Sequence, residues 1–259
     1  MNVDAYLERL GYQGPLEPTA ETLRRLHLAH LYAVPFENLS IHWGEPIQLD
    51  DEALFEKIVT RRRGGFCYEL NGLFAALLRS LGFDAAMLSA GVGRANGDYS
   101  PDYDHMALLV TLEDRWLADV GFGDSFREPL SLDERGAQKE GDLAYRIEET
   151  GDGRLVLSRR EEGGPWKPQY RFGLEPHVFA DYAEMCHFHQ TSPQSHFTQN
   201  RLCSLAAPDG RVTLSGIKLI TTRGGEKQER ELDEREYAEA LREIFGIEED
   251  VSPDGGFRR

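Results

Sequence analysis

Cys67 has the sequence setting of a reactive thiol. It follows the pair Gly64-Gly65 and precedes a helical run of apolar residues, which places it in or just before the first turn of a helix. Free N–H groups and the positive end of the helix dipole favour a thiolate there. Such a position, with a histidine partner, lowers a cysteine pKa from about 8.5 to roughly 3.5–7.5. A buried apolar cysteine that opens a core helix is the alternative.

A thiol nucleophile needs a general base, and the base needs a group that orients it. His105 lies in one predicted strand, and Asp119 interrupts an apolar stretch in the next. If an antiparallel hairpin joins the two strands through a loop with an odd number of residues, both side chains point to the same face of the sheet. A loop over residues 111–115 offsets them diagonally by roughly 7–8 Å at Cβ, whereas a tighter loop over residues 113–115 separates them too far for contact. The sequence does not fix this register. It also leaves open a structural role for Asp119, in which backbone groups alone make its hydrogen bonds.

Cysteine and histidine residues also cluster between residues 186 and 196. Cys186, His187, His189 and His196 are close enough in the chain to suggest a zinc site, but their spacing fits none of the common structural patterns. We therefore expect polar packing there and no metal in the protein. Three further histidines have no carboxylate partner visible in the sequence: His27, His30 and His42.

The charge balance excludes several classes of partner. The 259 residues include 29 Lys and Arg against 45 Asp and Glu, a net charge of −16. Duplex nucleic acid and anionic membranes both require a cationic surface, so neither is an expected partner. No apolar run reaches the roughly 18 residues that span a bilayer, and the N-terminus lacks the basic start and apolar stretch of a secretory signal. The three cysteines, an odd number, indicate the reducing cytoplasm rather than a disulfide framework.

The first 82 residues predict helices that position Cys67. Thr19 is a plausible N-cap for one helix, and Asp50 or Asp51 for a second. The third has the strongest pattern, with apolar residues at helical spacing over residues 70–81 and Gly82 at the position that ends a helix.

From about residue 85 the hydrophobic period changes to two, which predicts strands. Residues 103–112 place His105, Ala107 and Leu109 on one face, with Met106, Leu108 and Val110 on the other. The remaining predicted elements are a strand over 116–120, a hairpin of 143–149 and 154–160, a short helix near 179–186, two strands around 208–210, a helix over 233–245 and a polar, frayed tail from Glu248. Helices, then strands, then a mixed end indicate an α+β fold.

The segment Arg63-Gly64-Gly65-Phe66-Cys67-Tyr68-Glu69-Leu70-Asn71 resembles the nucleophile motif of the arylamine N-acetyltransferases. The match continues in family order with Val34-Pro35-Phe36-Glu37-Asn38-Leu39, His105 in a strand, Asp119-Val120-Gly121-Phe122-Gly123, residues 189–197 and Arg201-Leu202-Cys203. Such blocks in order, spanning residues 34 to 203, are a specific resemblance. It implies an N-terminal helical bundle over 1–84 that carries the cysteine, a central antiparallel β-barrel over 85–190, and a C-terminal α/β lid over 191–259, around a cysteine-protease-like core.

The resemblance also implies an activity and its residues. Cys67, His105 and Asp119 match a Cys-His-Asp triad that takes the acetyl group from acetyl-CoA as a thioester and passes it to an arylamine, hydrazine or N-hydroxyarylamine. Arg63 and Glu37 match a pair of structural support. The positions that match the substrate pocket are Phe36, Tyr68, Phe122 and Gly123. Residues 121–129 resemble the family's CoA-side loop.

We expect a cytoplasmic enzyme that acts as a monomer or weak homodimer. The resemblance implies no permanently bound cofactor, because acetyl-CoA is a substrate. Coenzyme A carries phosphates, so the acidic chain needs a local basic patch. Candidate residues for this patch are Arg61, Arg62, Arg63, Arg94, Arg201, Lys218 and Arg223.

Three other functions fit parts of the pattern. An amide synthase of macrolactam biosynthesis shares the fold and the triad, and would not turn over acetyl-CoA with an arylamine. A cysteine hydrolase or transglutaminase-like enzyme uses the same triad without CoA. A thiol-bearing binding module would carry an unreactive Cys67.

Overall fold

The computed structural model describes residues 1–248. The α-helices in this range are α1 (Val3–Leu10), α2 (Ala20–Ala33), α3 (Leu39–Trp43), α4 (Asp51–Phe55), α5 (Cys67–Ser80), α6 (Ala183–Thr191), α7 (His196–Gln199) and α8 (Glu234–Phe245). The strands are β1 (Phe36–Glu37), β2 (Asp84–Val92), β3 (His105–Thr111), β4 (Arg115–Ala118), β5 (Leu130–Ser131), β6 (Gln138–Glu140), β7 (Leu143–Glu149), β8 (Leu155–Glu161), β9 (Lys167–Phe172), β10 (Leu202–Ala207), β11 (Gly210–Ser215), β12 (Lys218–Arg223) and β13 (Glu226–Glu231). Except for Glu248 itself, the predicted polar tail lies outside the described residues.

The three helices predicted before residue 82 are confirmed, together with their end signals. Thr19 Oγ1 accepts the Thr22 N–H at 3.2 Å before α2, and Asp50 accepts the Ala53 N–H at 2.8 Å before α4. Gly82 follows α5 with φ +89°, a left-handed conformation that glycine adopts without strain. The second helix is shorter than its pattern suggests, because the chain passes from α4 into a π-helical turn, Glu56–Thr60.

α5 lies at the centre of the larger hydrophobic core. All its residues from Cys67 to Leu78 are buried, since α1, α4, β2 and β3 surround it. A helix that is mostly apolar and buried on every side belongs inside a core, where packing fixes its axis and its ends. The position of Cys67 is therefore set by the core of the fold.

The larger sheet is antiparallel and forms a nearly closed, barrel-like surface, with strand order β5-β4-β3-β2-β9-β8-β7-β6. The predicted faces of β3 are confirmed: Met106, Leu108 and Val110 pack in the core around α5, whereas Ala107 and Leu109 face a second core inside the sheet. This strand therefore joins the helical part to the barrel.

A second antiparallel sheet has the order β1-β10-β11-β12-β13. Helix α8 packs on it through Tyr237, Leu241 and Phe245, in a core shared with Leu214 of β11. Its first strand, β1, comes from the N-terminal segment, so this sheet crosses the predicted division at residues 84 and 190. None of the described helices is both long and apolar enough to cross a membrane.

Candidate active site

Cys67 is the first residue of α5, as the glycine pair before it predicts. The backbone of Gly121, just beyond β4, lies directly against it: a Cβ on Gly121 would be 2.8 Å from Cys67 Cα. Only glycine permits such an approach. The chain that carries Asp119 therefore rests on the first turn of the helix that carries the thiol.

His105 and Asp119 form a buried pair. His105 Nε2 donates to Asp119 Oδ2 at 2.8 Å. The register of β3 and β4 pairs Val110 with Trp116, which is the diagonal offset that allows this contact. Because Nε2 is engaged with the carboxylate, Nδ1 is the ring nitrogen left for proton exchange.

Two aromatic rings that also contact each other pack against the His105 imidazole. The rings of Phe122 and Tyr170 each lie with their centroids 5.1 Å from that of His105. Such edge-on and tilted contacts fix the plane of the ring and keep water away from it. The imidazole therefore has one well-defined orientation.

Asn71, on the next turn of α5 after Cys67, organises the acid. Its Nδ2 donates to Asp119 Oδ1 at 2.8 Å and to the Met106 carbonyl at 2.6 Å, while its Oδ1 accepts the Val120 N–H at 2.9 Å. Burial by itself would raise the pKa of Asp119, but His105, Asn71 and the Gly121 N–H bring that pKa below its ordinary value. Asp119 is therefore an ionised carboxylate in the core.

His27 supports the same acid from α2. Its Nε2 accepts the backbone N–H of Asp119 at 3.0 Å, and its Nδ1 donates to the Arg127 carbonyl at 2.7 Å. These bonds require the neutral tautomer with the proton on Nδ1. Burial lowers the pKa of His27 to about 4, which keeps the ring neutral at physiological pH.

The electrostatics of Cys67 differ from the expectation of a thiolate favoured by the helix dipole. Burial raises the pKa of the Cys67 thiol, and a hydrogen bond from the backbone N–H of Met106 offsets only part of this effect. A lone buried thiolate is unfavourable. Transfer of the proton to a nearby imidazole forms the thiolate without changing the total charge of the site, so the thiol depends on the histidine.

A cavity of about 950 Å³ is lined by both Cys67 and His105. Three of the residues predicted to bind substrate also line it, namely Phe36, Phe122 and Gly123. The cavity therefore combines a thiol, an imidazole and aromatic surfaces, which suits chemistry on a flat apolar molecule.

Tyr68, predicted to contact the substrate, does not line the cavity. The side chain is fully buried, and its hydroxyl donates to the Tyr103 carbonyl at 2.6 Å. The ring packs on Phe66 and Tyr182 and is not among the cavity-lining residues. Tyr68 thus stands behind the wall of the cavity, because the helical turn that points Cys67 inward points its neighbour into the core.

Comparison with known proteins shows the family of the chain. A family model described as N-acetyltransferase matches residues 19–252. Arylamine N-acetyltransferase 2 of Mus musculus is 35% identical over 273 residues, covering 95% of this chain and 94% of its own. The chain belongs to the arylamine N-acetyltransferase family.

Further relatives support the assignment. The arylamine N-acetyltransferase / N-hydroxyarylamine O-acetyltransferase of Salmonella typhimurium is 40% identical over 216 residues, covering 82% of this chain and 76% of its own. The solved Salmonella typhimurium enzyme superposes with a TM-score of 0.89, covering 95% of this chain and 90% of its own at 35% identity. The Mycobacterium marinum enzyme, solved in complex with CoA, gives a TM-score of 0.86 at 34% identity, with coverages of 95% and 93%. The α+β fold of this acyltransferase family is thus confirmed.

The structure brings Arg63 and Glu37 together, in the arrangement that the resemblance to the N-acetyltransferases implies. Arg63 donates to Glu37 Oε1 from Nη2 at 2.8 Å and from Nε at 3.1 Å. Lys57 lies behind them, 2.7 Å from Glu69, whose other oxygen accepts the Phe66 N–H at 3.1 Å. Burial by itself would raise the pKa of Glu37, but Lys57 and Arg63 lower it overall. This buried ionic cluster fixes the chain that leads into Cys67.

The proposed basic patch is only partly gathered in this N-acetyltransferase. Of its members, Arg94 lines the cavity, whereas Arg63 is committed to Glu37. Arg211, which the sequence pattern did not single out, also lines the cavity and lies 3.4 Å from Asp124. The cationic groups beside the cavity are therefore Arg94 and Arg211.

The cluster between residues 186 and 196 separates into polar contacts. Cys186 Sγ accepts from Gln190 at 3.4 Å, and His189 contacts Asp104 and Ser195. Among residues 1–248 no group of three or more metal-ligating side chains is placed to hold a metal ion. All three cysteines of the chain are free thiols.

Proposed function

We propose that this enzyme moves the acetyl group of acetyl-CoA to an arylamine through a thioester on Cys67, with hydrazines and N-hydroxyarylamines as further acceptors. One observation carries the proposal: Cys67, at the start of a buried helix, shares a cavity with a histidine held by Asp119 at 2.8 Å. Nucleophile, base and orienting acid are the three parts that covalent acyl transfer needs. The relative solved with CoA supports the choice of donor.

The first half-reaction exchanges one thioester for another. Nδ1 of His105 takes the Cys67 proton, and Asp119 balances the imidazolium. The thiolate attacks the acetyl carbonyl, and the unpaired N–H groups of the first turn of α5 stabilise the oxyanion. The C–S bond to CoA breaks, and the CoA sulfur takes the proton back from His105. The bond that breaks and the bond that forms are both thioester C–S bonds, so this step is nearly balanced in free energy.

The second half-reaction consumes the thioester. An arylamine is a weak base and is neutral at pH 7, so its nitrogen lone pair is free to attack. Phe36 and Phe122 pack against the ring and keep water from the thioester. His105 accepts the amine proton as the intermediate collapses, and the Cys67 thiol is regenerated. The acetylated amine leaves the cavity that the donor occupied before it.

Two cations are placed to meet the phosphates of the donor. Arg94 and Arg211 line the cavity away from the buried ionic cluster, and the adjoining loop, residues 121–129, matches the family's CoA side. We assign the pyrophosphate and the 3′-phosphate to this region because guanidinium groups bind phosphate through paired hydrogen bonds. Arg94 supplies a local attraction that the net charge of the chain does not, and Arg211 adds to it by exchanging its contact with Asp124 for a phosphate.

We also propose the setting in which the enzyme works. Three unpaired thiols suit the reducing cytoplasm. The reaction needs no metal and no permanently bound cofactor, because donor, nucleophile and base supply all the chemistry. The enzyme acts as a monomer or weak homodimer, without membrane or nucleic acid.

Intact-mass measurement tests the covalent mechanism directly. Acetyl-CoA alone is expected to add one acetyl group to the protein, and a later addition of an arylamine is expected to remove it. Cys67→Ala should prevent the adduct, whereas Cys186→Ala, the matched control, should not. An adduct that water removes as fast as the amine does would indicate a hydrolase. No adduct from acetyl-CoA would instead favour an amide synthase.

Steady-state kinetics gives an independent readout. Because one cavity serves donor and acceptor in turn, double-reciprocal plots at several fixed arylamine concentrations should be parallel. Intersecting lines, with no acetylated enzyme in the absence of amine, would mean direct transfer between the two substrates.

A further inference from the structure

A second histidine–carboxylate pair lies in the wall of the cavity that holds Cys67. Nε2 of His189, on α6, is 3.1 Å from Oδ1 of Asp104. Asp104 directly precedes His105 in the chain, and both members of the second pair line the same cavity as the thiol. The mechanism proposed above uses neither of them.

The surroundings of His189 allow the ring to carry a positive charge. Nδ1 lies 3.0 Å from Ser195 Oγ, and a hydroxyl can either donate to that nitrogen or accept from it, so the contact survives protonation. On the other side, the 3.1 Å distance from Nε2 to Asp104 suits an ion pair, although Nε2 is not aligned with that oxygen for a hydrogen bond. Coulomb attraction has no such angular requirement. The other neighbours are aromatic rings: Phe66, Tyr68, Phe188 and Phe197.

Asp104 brings a negative charge close to the nucleophile. Burial by itself would raise the pKa of Asp104, but His189, Ser100 and His105 lower it overall, so the carboxylate is ionised at neutral pH. After burial, the charges of Asp104 and then Asp119 are what raise the pKa of Cys67. The thiol therefore faces two carboxylates.

The charge count shows why a second cation is needed. With its thiol and imidazole protonated, the site contains one imidazolium and two carboxylates. Loss of the first proton, from either group, leaves two uncompensated negative charges in a buried cavity. Asp104 therefore opposes formation of the reactive state wherever the remaining proton resides. A positive charge on His189 cancels this opposition.

We propose that His189 is a positioning residue whose charge neutralises Asp104 and so lets the Cys67–His105 pair reach its reactive state at neutral pH. The inference rests on Cys67 being the nucleophile. Ser195 contributes by keeping His189 hydrogen-bonded in both protonation states, and Asp104 by holding the ring beside the cavity.

The rate of Cys67 alkylation by iodoacetamide, followed by peptide mapping across a range of pH, tests the proposal without any substrate. His189→Gln should raise the pH midpoint of alkylation by about one unit, equivalent to about tenfold slower alkylation below the midpoint. Asp104→Asn should lower the midpoint, because the charge on His189 then stands alone. The double variant should return to within a few tenths of a unit of the unmodified protein.

A matched control is His196, the third histidine that lines the cavity beside His105 and His189. His196 is exposed, and among the described residues it takes part in no ion pair, so His196→Gln should leave the midpoint in place. An unchanged midpoint in His189→Gln, or a double variant that stays as slow as His189→Gln, would overturn the proposal. If His189→Gln does not fold, a midpoint that fails to fall in Asp104→Asn overturns the proposal. Acetylation of the unmodified enzyme by acetyl-CoA tests the proposed function separately.

Discussion

Asn71 Nδ2 lies 2.8 Å from Asp119 Oδ1, so the carboxylate that holds the His105 imidazole is itself held by the helix that carries Cys67. The same side chain accepts the Val120 N–H and donates to the Met106 carbonyl. One amide thereby links α5 both to β3 and to the segment that follows β4. The relative positions of Cys67, His105 and Asp119 therefore depend on this link.

Asn71→Ala should therefore uncouple the acid from the helix. Removal of the amide takes one of its two donors from Asp119 Oδ1 and one hydrogen bond each from the Met106 carbonyl and the Val120 N–H. A supporting partner of this kind is typically worth about 10–100-fold in activity. We expect a fall in kcat of that size and a loss of about 2–3 kcal/mol in the free energy of unfolding. Asn96→Ala, at an exposed asparagine, should change neither. Wild-type turnover in Asn71→Ala would contradict this account of the site.

Asp119→Asn should abolish most of the activity by changing the tautomer of His105. Oδ1 accepts from Asn71 and from the Gly121 N–H, so the oxygen of the new amide will stay there and its NH₂ group will face Nε2. Nε2 must then accept, which leaves the proton on Nδ1, the nitrogen needed as the base. A fall of about 10³–10⁴ in kcat is expected, as in other triads.

The matched control for that substitution is Asp133→Asn, at a surface aspartate that pairs with Arg115. Turnover should not change there. Far-ultraviolet circular dichroism of both variants checks that the fold is retained. A kcat within tenfold of the unmodified enzyme in Asp119→Asn would mean that His105 is oriented by something other than this carboxylate.

Much of the scaffold follows from local pattern. α5 is predictable because its apolar residues recur at helical spacing and Gly82 ends it. The two faces of β3 are predictable because side chains alternate along a strand. The β3–β4 register is not predictable. An odd number of loop residues puts His105 and Asp119 on one face, but the length of the loop decides how far apart they lie along the strands. Likewise, β12 and β13 carry few apolar residues, so no alternation marks them in the sequence.

The residues that support the proposed triad are less predictable from the sequence. His27 accepts a hydrogen bond from the backbone of Asp119, 92 residues later in the chain, and His189 contacts Asp104. No local sequence pattern encodes contacts between such distant residues. For Asn71 a signal does exist: it is an uncharged polar residue one turn after Cys67, in a helix whose following residues, up to Leu78, are apolar or glycine. A buried amide requires partners, so its position alone indicates a structural role.

Gly121→Ala should disturb the nucleophile without touching any reactive group. The added methyl would lie 2.8 Å from Cys67 Cα and 2.7 Å from Asn71 Nδ2, so the backbone must move. Since a misplacement of about 1 Å can cost roughly 100-fold in rate, we expect a loss of kcat of that order. Gly173→Ala is the control, because a methyl group added there would have no atom within 4 Å and the φ of Gly173 is not positive. Equal activities of the two variants would show that the close approach is not required.

Acid should destabilise the fold through its buried neutral histidines before the carboxylates titrate. The pKa of His27 is about 4 in the folded protein, against 6.5 ordinarily, so between these values the unfolded chain binds a proton that the folded chain does not. Stability is therefore complete above pH 6.5 and falls as the pH drops towards 4. By pH 5 the loss from His27 is about 2 kcal/mol. His30, whose pKa burial also lowers, acts in the same direction.

Urea unfolding between pH 5 and pH 8 measures this slope. His27→Gln keeps an amide oxygen for the Asp119 N–H and an NH₂ group for the Arg127 carbonyl, so the variant should fold and lose about half of the pH dependence in this range. His187→Gln, at an exposed histidine, serves as the control and should retain the full slope. If His27→Gln retained it as well, the acid sensitivity would belong to other groups. A neutral His27 also keeps a second positive charge away from Asp119, so the carboxylate directs its full attraction to His105.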